Sequence, residues 1–487
     1  MDDPCEATFI VVGGGVAAMS CVEQLAMMCP DESILMLTAS NVVKIVSNWQ
    51  KVGAILESFD VSEMSVFSVT DQFSNVKVVS SKVVELNSSK KELKTIDGQT
   101  FKYKKLCLAT GGRPKIIADH PNVIGIRDTE TVEEFGTRLK DAHRIVVVGN
   151  GGIATEIVGE VSNVEIIWAV KHESISAAFV DAGAAQFFLP FLNKENIEAG
   201  PKKRLTYTHH VADQSTAKGS EFGSALGPDW IETCEITGAL EKRRVHIEYK
   251  CAVKEVLSKE QCLALGLSEE KLPPDFIERE TWPVFIRLSN NNVVGCDFIV
   301  SATGVVPNVG AFVTPENPFN VADDGGLLIN DQMETSIQDV YAAGDSCTAG
   351  WEPSPHWLQM RLWTQARQMG AYAGRCMASN FQGEQMELDI CFELFTHVTK
   401  FFGFKVILIG CFNGQGLRPD HEALVRIACG EEYIKILVQD GYVQGAVLIG
   451  ETGLEEVVEN LIMNHTDISR VKDDLLNPTI DLEDYFD

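Results

Sequence analysis

The chain has 487 residues, 45% hydrophobic and 23% charged, an ordinary globular composition with room for about three domains. Its 41 Lys and Arg face 69 Asp and Glu, a formal charge of −28, so a phosphate backbone meets repulsion and direct nucleic-acid binding is disfavoured. No run of about 18 apolar residues occurs, since Lys405 interrupts the longest candidate near Phe401 to Gly410; no membrane span is expected.

The acidic start Met1-Asp2-Asp3 leads toward a glycine turn without a basic segment and a long apolar core, so an unsecreted chain is expected. Thirteen cysteines are scattered, the closest pair being Cys21 and Cys29. That spacing excludes a zinc ribbon and a local dithiol, and it fits reduced thiols in the cytoplasm or nucleus.

The first predicted element is a buried strand over Ala7 to Val12, feeding Gly13-Gly14-Gly15-Val16-Ala17-Ala18 and a helix. Gly13 permits the tight turn, Gly15 lets a pyrophosphate approach the backbone, and Ala18 keeps the helix close to the sheet. The next strand, Ile34 to Leu37, ends in Thr38 where an acid commonly meets the adenosine ribose; a hydroxyl can still make one hydrogen bond there. Lys105 to Leu108 is a strand leading into Ala109-Thr110-Gly111-Gly112-Arg113-Pro114.

A second copy of the first motif follows, with a strand over Arg144 to Val148 and then Gly149-Asn150-Gly151-Gly152-Ile153-Ala154-Thr155-Glu156. Two such units imply two dinucleotides, and hydride transfer between them is the common reason to hold both. The strand Val164 to Ile167 ends in Trp168, again without an acid, and Lys171 and His172 come after it. NAD and NADP are not separated by this pattern, although Lys171 is able to meet a 2′-phosphate.

Phe298 to Ser301 leads into Ala302-Thr303-Gly304-Val305-Val306-Pro307-Asn308, a second strand–ATG–Pro pattern, and Thr335 to Asp345 is a strand ending in Gly344-Asp345. An acid after a glycine at a strand end can accept hydrogen bonds from a polyol, and it can equally cap a helix.

In this order the motifs resemble the two-dinucleotide-binding flavoproteins often called pyridine nucleotide-disulfide reductases, over about residues 8 to 375. The resemblance implies an α/β fold class with two Rossmann-like dinucleotide-binding domains plus a C-terminal α/β interface-type domain. The expected layout is an FAD domain over 1–120 and 309–385, an NAD(P)H domain over 121–308, a C-terminal domain over 386–470 and an acidic tail over 471–487. FAD is expected against Gly13, Gly14, Gly15, Val16, Ala17, Ala18, Thr38, Lys44, Thr110, Gly111, Gly344, Asp345 and Gln365. NAD(P)H is expected against Gly149, Gly151, Ile153, Ala154, Glu156, Trp168 and Gly304.

The runs Phe392 to Phe402, Ser224 to Trp230, Trp363 to Gly370 and Asp484 to Asp487 resemble one animal branch of this family. That closer resemblance implies a flavoprotein of cytoplasm and nucleus that protects the tRNA ligase complex from oxidative inactivation, with the ligase catalytic subunit as partner. A redox-sensing binding protein with incidental turnover and a quinone or oxygen reductase are the alternatives.

The reaction that gives the family its name needs cysteine soon after the second strand, and none lies between Thr38 and Asp60. Lys44 occupies that segment. In spacing it is similar to a lysine of flavoprotein reductases that serve one-electron partners, so Lys44 is expected beside the flavin and paired with Glu156, both as catalytic residues. Cys347, Met360 and Trp363 fall near the flavin by motif, while Cys347 and His397 are expected to be structural.

Pro121 to Asn308 spans about 190 residues, roughly 50 to 60 more than an NAD(P)H domain needs, so an exposed insertion is expected around 184–227. Its basic run Pro201-Lys202-Lys203-Arg204 is expected to be solvated, and His209-His210 are poor evidence for metal; no metal site is expected. Residues 451 to 487 hold eleven acids and two bases, and Asp481 to Asp487 interleaves acids with Leu482, Tyr485 and Phe486 in the manner of a docking peptide.

Overall fold

The uninterrupted apolar runs Phe9–Val12 and Ile34–Leu37 are too short for helices and too uniformly apolar for half-exposed strands, so they need cover on both faces. The computed structural model describes residues 5–193, 203–208, 236–268, 272–277, 279 and 281–477, and in it both runs lie inside a seven-stranded sheet. Its parallel part takes in Val76–Ser80, Ile34–Thr38, Cys5–Val12, Thr100–Leu108 and Val340–Ala342. Thr100–Leu108 serves two partners on one side: its first half pairs with the antiparallel strand Glu92–Thr95 and its second half with Val340–Ala342. A strand distant in sequence thereby completes the first sheet.

Helices Val16–Met28 and Trp363–Phe381 cover this sheet together. A side chain at Gly370 would collide with the Ala17 carbonyl, and one at Gly374 would stand 2.7 Å from the Cys21 carbonyl oxygen. Both glycines lie on one helical face, one turn apart, so the backbones can touch there. This contact fixes the start of the second helix, at Trp363, near the first glycine turn.

The second sheet is wholly parallel, in the order Val123–Ile124, Phe298–Ser301, Arg144–Val148, Glu165–Val170 and Arg244–Tyr249. An antiparallel meander, Val253–Leu257, Val284–Leu288 and Val293–Cys296, packs on one face through Val146, Ile167 and Ile286. The helix Thr129–Leu139 packs on the other face, and Asp128 begins it by accepting from the Thr131 N–H at 2.9 Å. At the strand starts Arg144 and Glu165 form a fully buried pair at 2.9 Å, with the guanidinium over the Trp282 ring. The Ile277 N–H also donates to Glu165, so this desolvated charge is compensated.

The third sheet is antiparallel and six-stranded, in the order Lys203–Thr208, Glu422–Ala428, Glu432–Gln439, Tyr442–Ile449, Phe404–Gly410 and Thr396–Phe401, with the helix Glu455–Met463 packed against it. Two-residue turns with positive φ, Phe402-Gly403 and Asp440-Gly441, make two of its hairpins.

The backbone of Lys203–Thr208 pairs antiparallel with Glu422–Ala428, Leu205 opposite Val425. Part of the stretch expected as an exposed insertion is therefore hydrogen-bonded through its backbone into the third sheet. The register is set by a strand more than two hundred residues away, which local composition does not report. Lys202, His209-His210, Ser224 to Trp230 and Asp481 to Asp487 lie outside the described residues.

Two buried carboxylates tie the third sheet and its helix to the rest. Asp181 pairs with the enclosed Lys435 ammonium and accepts from Tyr433 and from the Ala184 N–H. Glu459, fully enclosed, accepts from the backbone N–H groups of Ala54, Ile55 and Leu56.

Candidate functional site

Both glycine fingerprints are built by one device. Gly13 and Gly149 have φ of +138° and +142°, a region open to glycine and strained for other residues. A side chain at Gly13 would collide with the Ala109 carbonyl, and one at Gly149 with the Ala302 carbonyl. Ala109 N–H donates to the Val12 carbonyl at 2.9 Å and Ala302 N–H to that of Val148 at 2.8 Å. Each ATG segment therefore crosses over the end of the strand that opens its own glycine turn.

The two ATG segments also meet each other. Val305–Pro307 pairs antiparallel with Gly112–Pro114, and the Asn308 N–H donates to the Gly111 carbonyl. A two-stranded ribbon thus joins the two repeats at the ends where their sheets carry the glycine turns.

The helices that follow the turns, Val16–Met28 and Gly152–Glu160, begin at Gly15 and Gly151 without a side-chain cap. Their first N–H groups are thus available to an anion. Around Gly15, no atom beyond its chain neighbours lies within 4 Å of where a Cβ would stand, among the described residues.

A cavity of about 730 Å³ opens at the first turn, bordered by Gly13, Gly14, Gly15, Val16, Ala17, Thr38, Lys44, Thr110, Gly111 and Asp345. These are ten of the expected residues. Ala18 is fully buried behind Gly13, and Gly344, at φ +72°, is pressed against Ala17. Both support the wall from behind.

Gln365 stands at the start of the helix Trp363–Phe381. Its amide accepts from the Met360 N–H at 2.6 Å and donates to the Leu358 carbonyl at 2.7 Å, so both ends hold the loop that enters the helix. The Thr110 hydroxyl donates to the Asn308 carbonyl at 2.7 Å, and Thr38 packs under Gly14.

Lys44 lies on the strand Val42–Lys51, which folds against Glu57–Ser65 with Lys44 opposite Glu63. Its N–H donates to the Gly14 carbonyl at 2.8 Å. The ammonium is held by Glu63 and by the Thr129 hydroxyl. The expected Lys44–Glu156 pair is thus replaced by Lys44–Glu63, because antiparallel register brings that carboxylate across from Lys44. Glu156 is buried in the helix of the second turn.

Sequence reasoning passed over Arg127. Its guanidinium binds the Asp345 carboxylate and lies over the Trp363 ring, on the cavity wall. Burial lowers its pKa to about 10, which leaves it charged at neutral pH. The available signal was Asp128-Thr129-Glu130-Thr131, a helix start that brings the preceding residue to the mouth of the sheet. A second buried guanidinium, Arg361, donates to the Asp345 carbonyl and pairs with Asp324 at 2.9 Å.

At the second turn Ile153 and Ala154 are buried, and Gly304 has φ +107° in the crossing segment. Trp168 is fully buried, and its indole N–H donates to the Gly149 carbonyl at 2.7 Å. The ring buttresses the turn from within the sheet. The Asn150 amide bonds His172 Nδ1 at 3.0 Å and the Ser174 carbonyl at 2.8 Å, which anchors the segment after the second strand to the turn.

No cysteine borders the cavity among the described residues. Cys347 is fully enclosed, burial pushes its thiol pKa well up, and its Sγ donates to the Gly344 carbonyl. His397 is buried with Nδ1 at 3.1 Å from the Thr364 hydroxyl, and burial lowers its pKa to about 3. It is therefore neutral at physiological pH. Among the described residues, no trio of His, Cys, Asp or Glu is placed to hold a metal, and no helix is long and apolar enough to cross a membrane.

The family described as pyridine nucleotide-disulphide oxidoreductase matches residues 7–370. Pyridine nucleotide-disulfide oxidoreductase domain-containing protein 1 of Rattus norvegicus is 49% identical over 99% of this chain and 98% of its own. The protein of the same name in Danio rerio is 51% identical, over 99% and 98%. Among solved structures, a ferredoxin reductase of Rhodopseudomonas palustris shares the fold, with a TM-score of 0.66 at 16% identity over 98% of this chain and 99% of that one. The chain thus belongs to the pyridine nucleotide-disulphide oxidoreductase family, whose members are FAD-containing, NAD(P)H-dependent oxidoreductases.

Proposed function

We propose that this protein takes a hydride from NAD(P)H at the second glycine turn onto FAD held in the first cavity, then passes the electrons on without a protein dithiol. The observation that carries the reading is the duplicated turn joined by a two-stranded ribbon, with a first cavity whose described walls contain no thiol. FAD supplies a centre that accepts a hydride and can release electrons in pairs or singly.

The cavity fits that cofactor by the chemistry of its walls. Gly13, Gly15 and the uncapped helix start suit a pyrophosphate; Asp345, with Arg127 beside it, suits the hydroxyls of the ribityl chain. Trp363 offers an apolar face, and its buried indole N–H has no acceptor among the described residues. Lys44 contributes a cation that favours negative charge on a reduced ring, moderated by Glu63.

Stopped-flow reduction by NADH under anaerobic conditions tests the reading. The wild-type protein should lose its oxidised-flavin absorbance in a single nucleotide-dependent phase, and Lys44→Ala should slow that phase about tenfold. An unchanged rate in Lys44→Ala would remove Lys44 from the mechanism, and no reduction by either nucleotide would remove the reading itself.

We extend the proposal to protection of the tRNA ligase complex in cytoplasm and nucleus, with Asp481 to Asp487 as the docking peptide for the ligase catalytic subunit. Its support is the resemblance carried by Phe392 to Phe402, Ser224 to Trp230, Trp363 to Gly370 and Asp484 to Asp487. Deleting residues 479–487 should spare flavin and weaken capture of the ligase; undiminished capture would reject the docking role.

A further inference from the structure

One stretch of the first cavity's wall comes from the second sheet's part of the chain. Arg127, Asp128, Thr129, Glu130 and Thr131 all border the cavity, although they join the strand Val123–Ile124 of the second sheet to the helix Thr129–Leu139 that packs on it. The ribbon of Gly112–Pro114 and Val305–Pro307, through which the chain passes between the two sheets, borders the same cavity at Gly112 and Arg113. The two parts of the chain therefore meet around this cavity twice, covalently at the ribbon and through side chains alone at Arg127 to Glu130.

Three anchors hold that segment, each on a different piece of the first sheet's surroundings. Arg127 binds the Asp345 carboxylate and lies over the Trp363 ring. The Thr129 hydroxyl accepts from the Lys44 ammonium at 2.7 Å and donates to Glu63, which stands opposite Lys44 in the hairpin. Glu130 accepts from the Ser40 hydroxyl at 3.4 Å, just past the second strand. Ser40, Lys44, Asp345 and Trp363 themselves border the cavity, so four consecutive residues strap its walls together.

The strap is stiff in itself. The Arg127 and Asp128 N–H groups both donate to the Thr131 hydroxyl, at 2.9 and 3.0 Å, and the Asp128 carboxylate accepts from the Thr131 N–H. Segment and helix therefore move as one piece. The anchors, in contrast, are polar, and two of the three lie close to water: the Glu63 side chain is 36% exposed, and the Ser40–Glu130 bond is at the surface. Such contacts are cheap to break because water replaces the lost partner. The wall formed by Val16–Met28 and Trp363–Phe381, where Gly370 lies against the Ala17 carbonyl, has no such exchange open to it. Release of the strap, with the ribbon as pivot, is thus the least costly way to open the cavity.

We propose that Arg127 to Glu130 is a gate, a strap that closes the first cavity over bound flavin and whose release sets the rate at which flavin enters and leaves. The inference rests on the reading of this cavity as the FAD site. A residue that only touches a ligand slows its departure and leaves its arrival unchanged, whereas a gate slows both. Loosening the strap must therefore speed exchange in both directions.

Thr129→Val and Glu63→Gln test this, since both loosen the middle anchor and leave the glycine turn intact. Release is read as the rise in flavin fluorescence when the holoprotein is diluted into phosphodiesterase, which destroys free FAD. Affinity is read from equilibrium dilution of the same holoprotein, and the two together give the rate of uptake. Thr129→Val should speed release about tenfold, the factor that one hydrogen bond to a charged group supplies. Glu63→Gln should act in the same direction, with uptake accelerated in step and the affinity for FAD nearly unchanged in both variants. Faster release with unaltered uptake would make these side chains ordinary binding contacts, and unaltered release would make the segment a fixed wall. Either result overturns the gate and leaves the cavity as the flavin site. A wild-type protein that neither holds nor takes up FAD would remove the reading beneath the inference, and the inference with it.

Discussion

His397 is enclosed on all sides and bonds the Thr364 hydroxyl, and burial holds its folded-state pKa near 3 against an ordinary value of 6.5. Between those values the unfolded chain binds a proton that the folded chain does not. Stability contributed by the neutral ring is therefore complete above pH 6.5 and is lost as pH falls toward 3, by up to about 1.4 kcal/mol per pH unit. A denaturation series from pH 7.5 to 5 should show a shallower decline for His397→Asn than for the wild type. Parallel declines would mean that the ring is protonated in the fold.

The same scale shows which side chains were legible in the sequence. The glycines and alanines of the two turns were, because a tight turn and a close helix impose their requirements on consecutive residues. Lys44 was found as a residue of the cavity wall but with the wrong partner, since Glu63 becomes its neighbour only through hairpin register. Trp168 sat at a legible strand end, yet its direction, inward to the Gly149 carbonyl, depends on packing. Arg127 was hidden because its role comes from a neighbour far along the chain, Asp345.

Among the elements, the crossing of Val16–Met28 with Trp363–Phe381 decides the shape of the cavity at the first glycine turn. Gly370 lies against the Ala17 carbonyl, and Ala17 borders the cavity. Gly370→Val must push the helices apart, at a cost of about 3 kcal/mol or more, and should displace Trp363. Gel filtration should find the variant depleted of flavin and melting earlier. Full flavin content with an unshifted melting temperature would show that the helices are not packed this closely. The strand Lys203–Thr208 teaches the opposite lesson: its sequence is a basic patch between poorly patterned segments, and only pairing with Glu422–Ala428 makes it a strand.

At the scale of the whole molecule, a few buried polar contacts hold three sheets together. Glu459 reaches from the third region to three consecutive N–H groups at the tip of the hairpin that carries Lys44. Glu459→Ala would orphan buried donors at about 1–3 kcal/mol each. Hydrogen exchange at residues 54–56 should rise while the first sheet stays protected, and unchanged protection would mean that the hairpin is held by other contacts. The hairpin also fills the stretch after the second strand, where a disulfide reductase carries its cysteines, and this chain has none there.

Anaerobic titration with NADPH and NADH shows whether a protein dithiol exchanges electrons with the flavin. The oxidised-flavin band should disappear at one equivalent of nucleotide per flavin, an uptake of two electrons. An uptake of four electrons, with a stable half-reduced species on the way, would contradict it by revealing a thiol pair in exchange with the flavin.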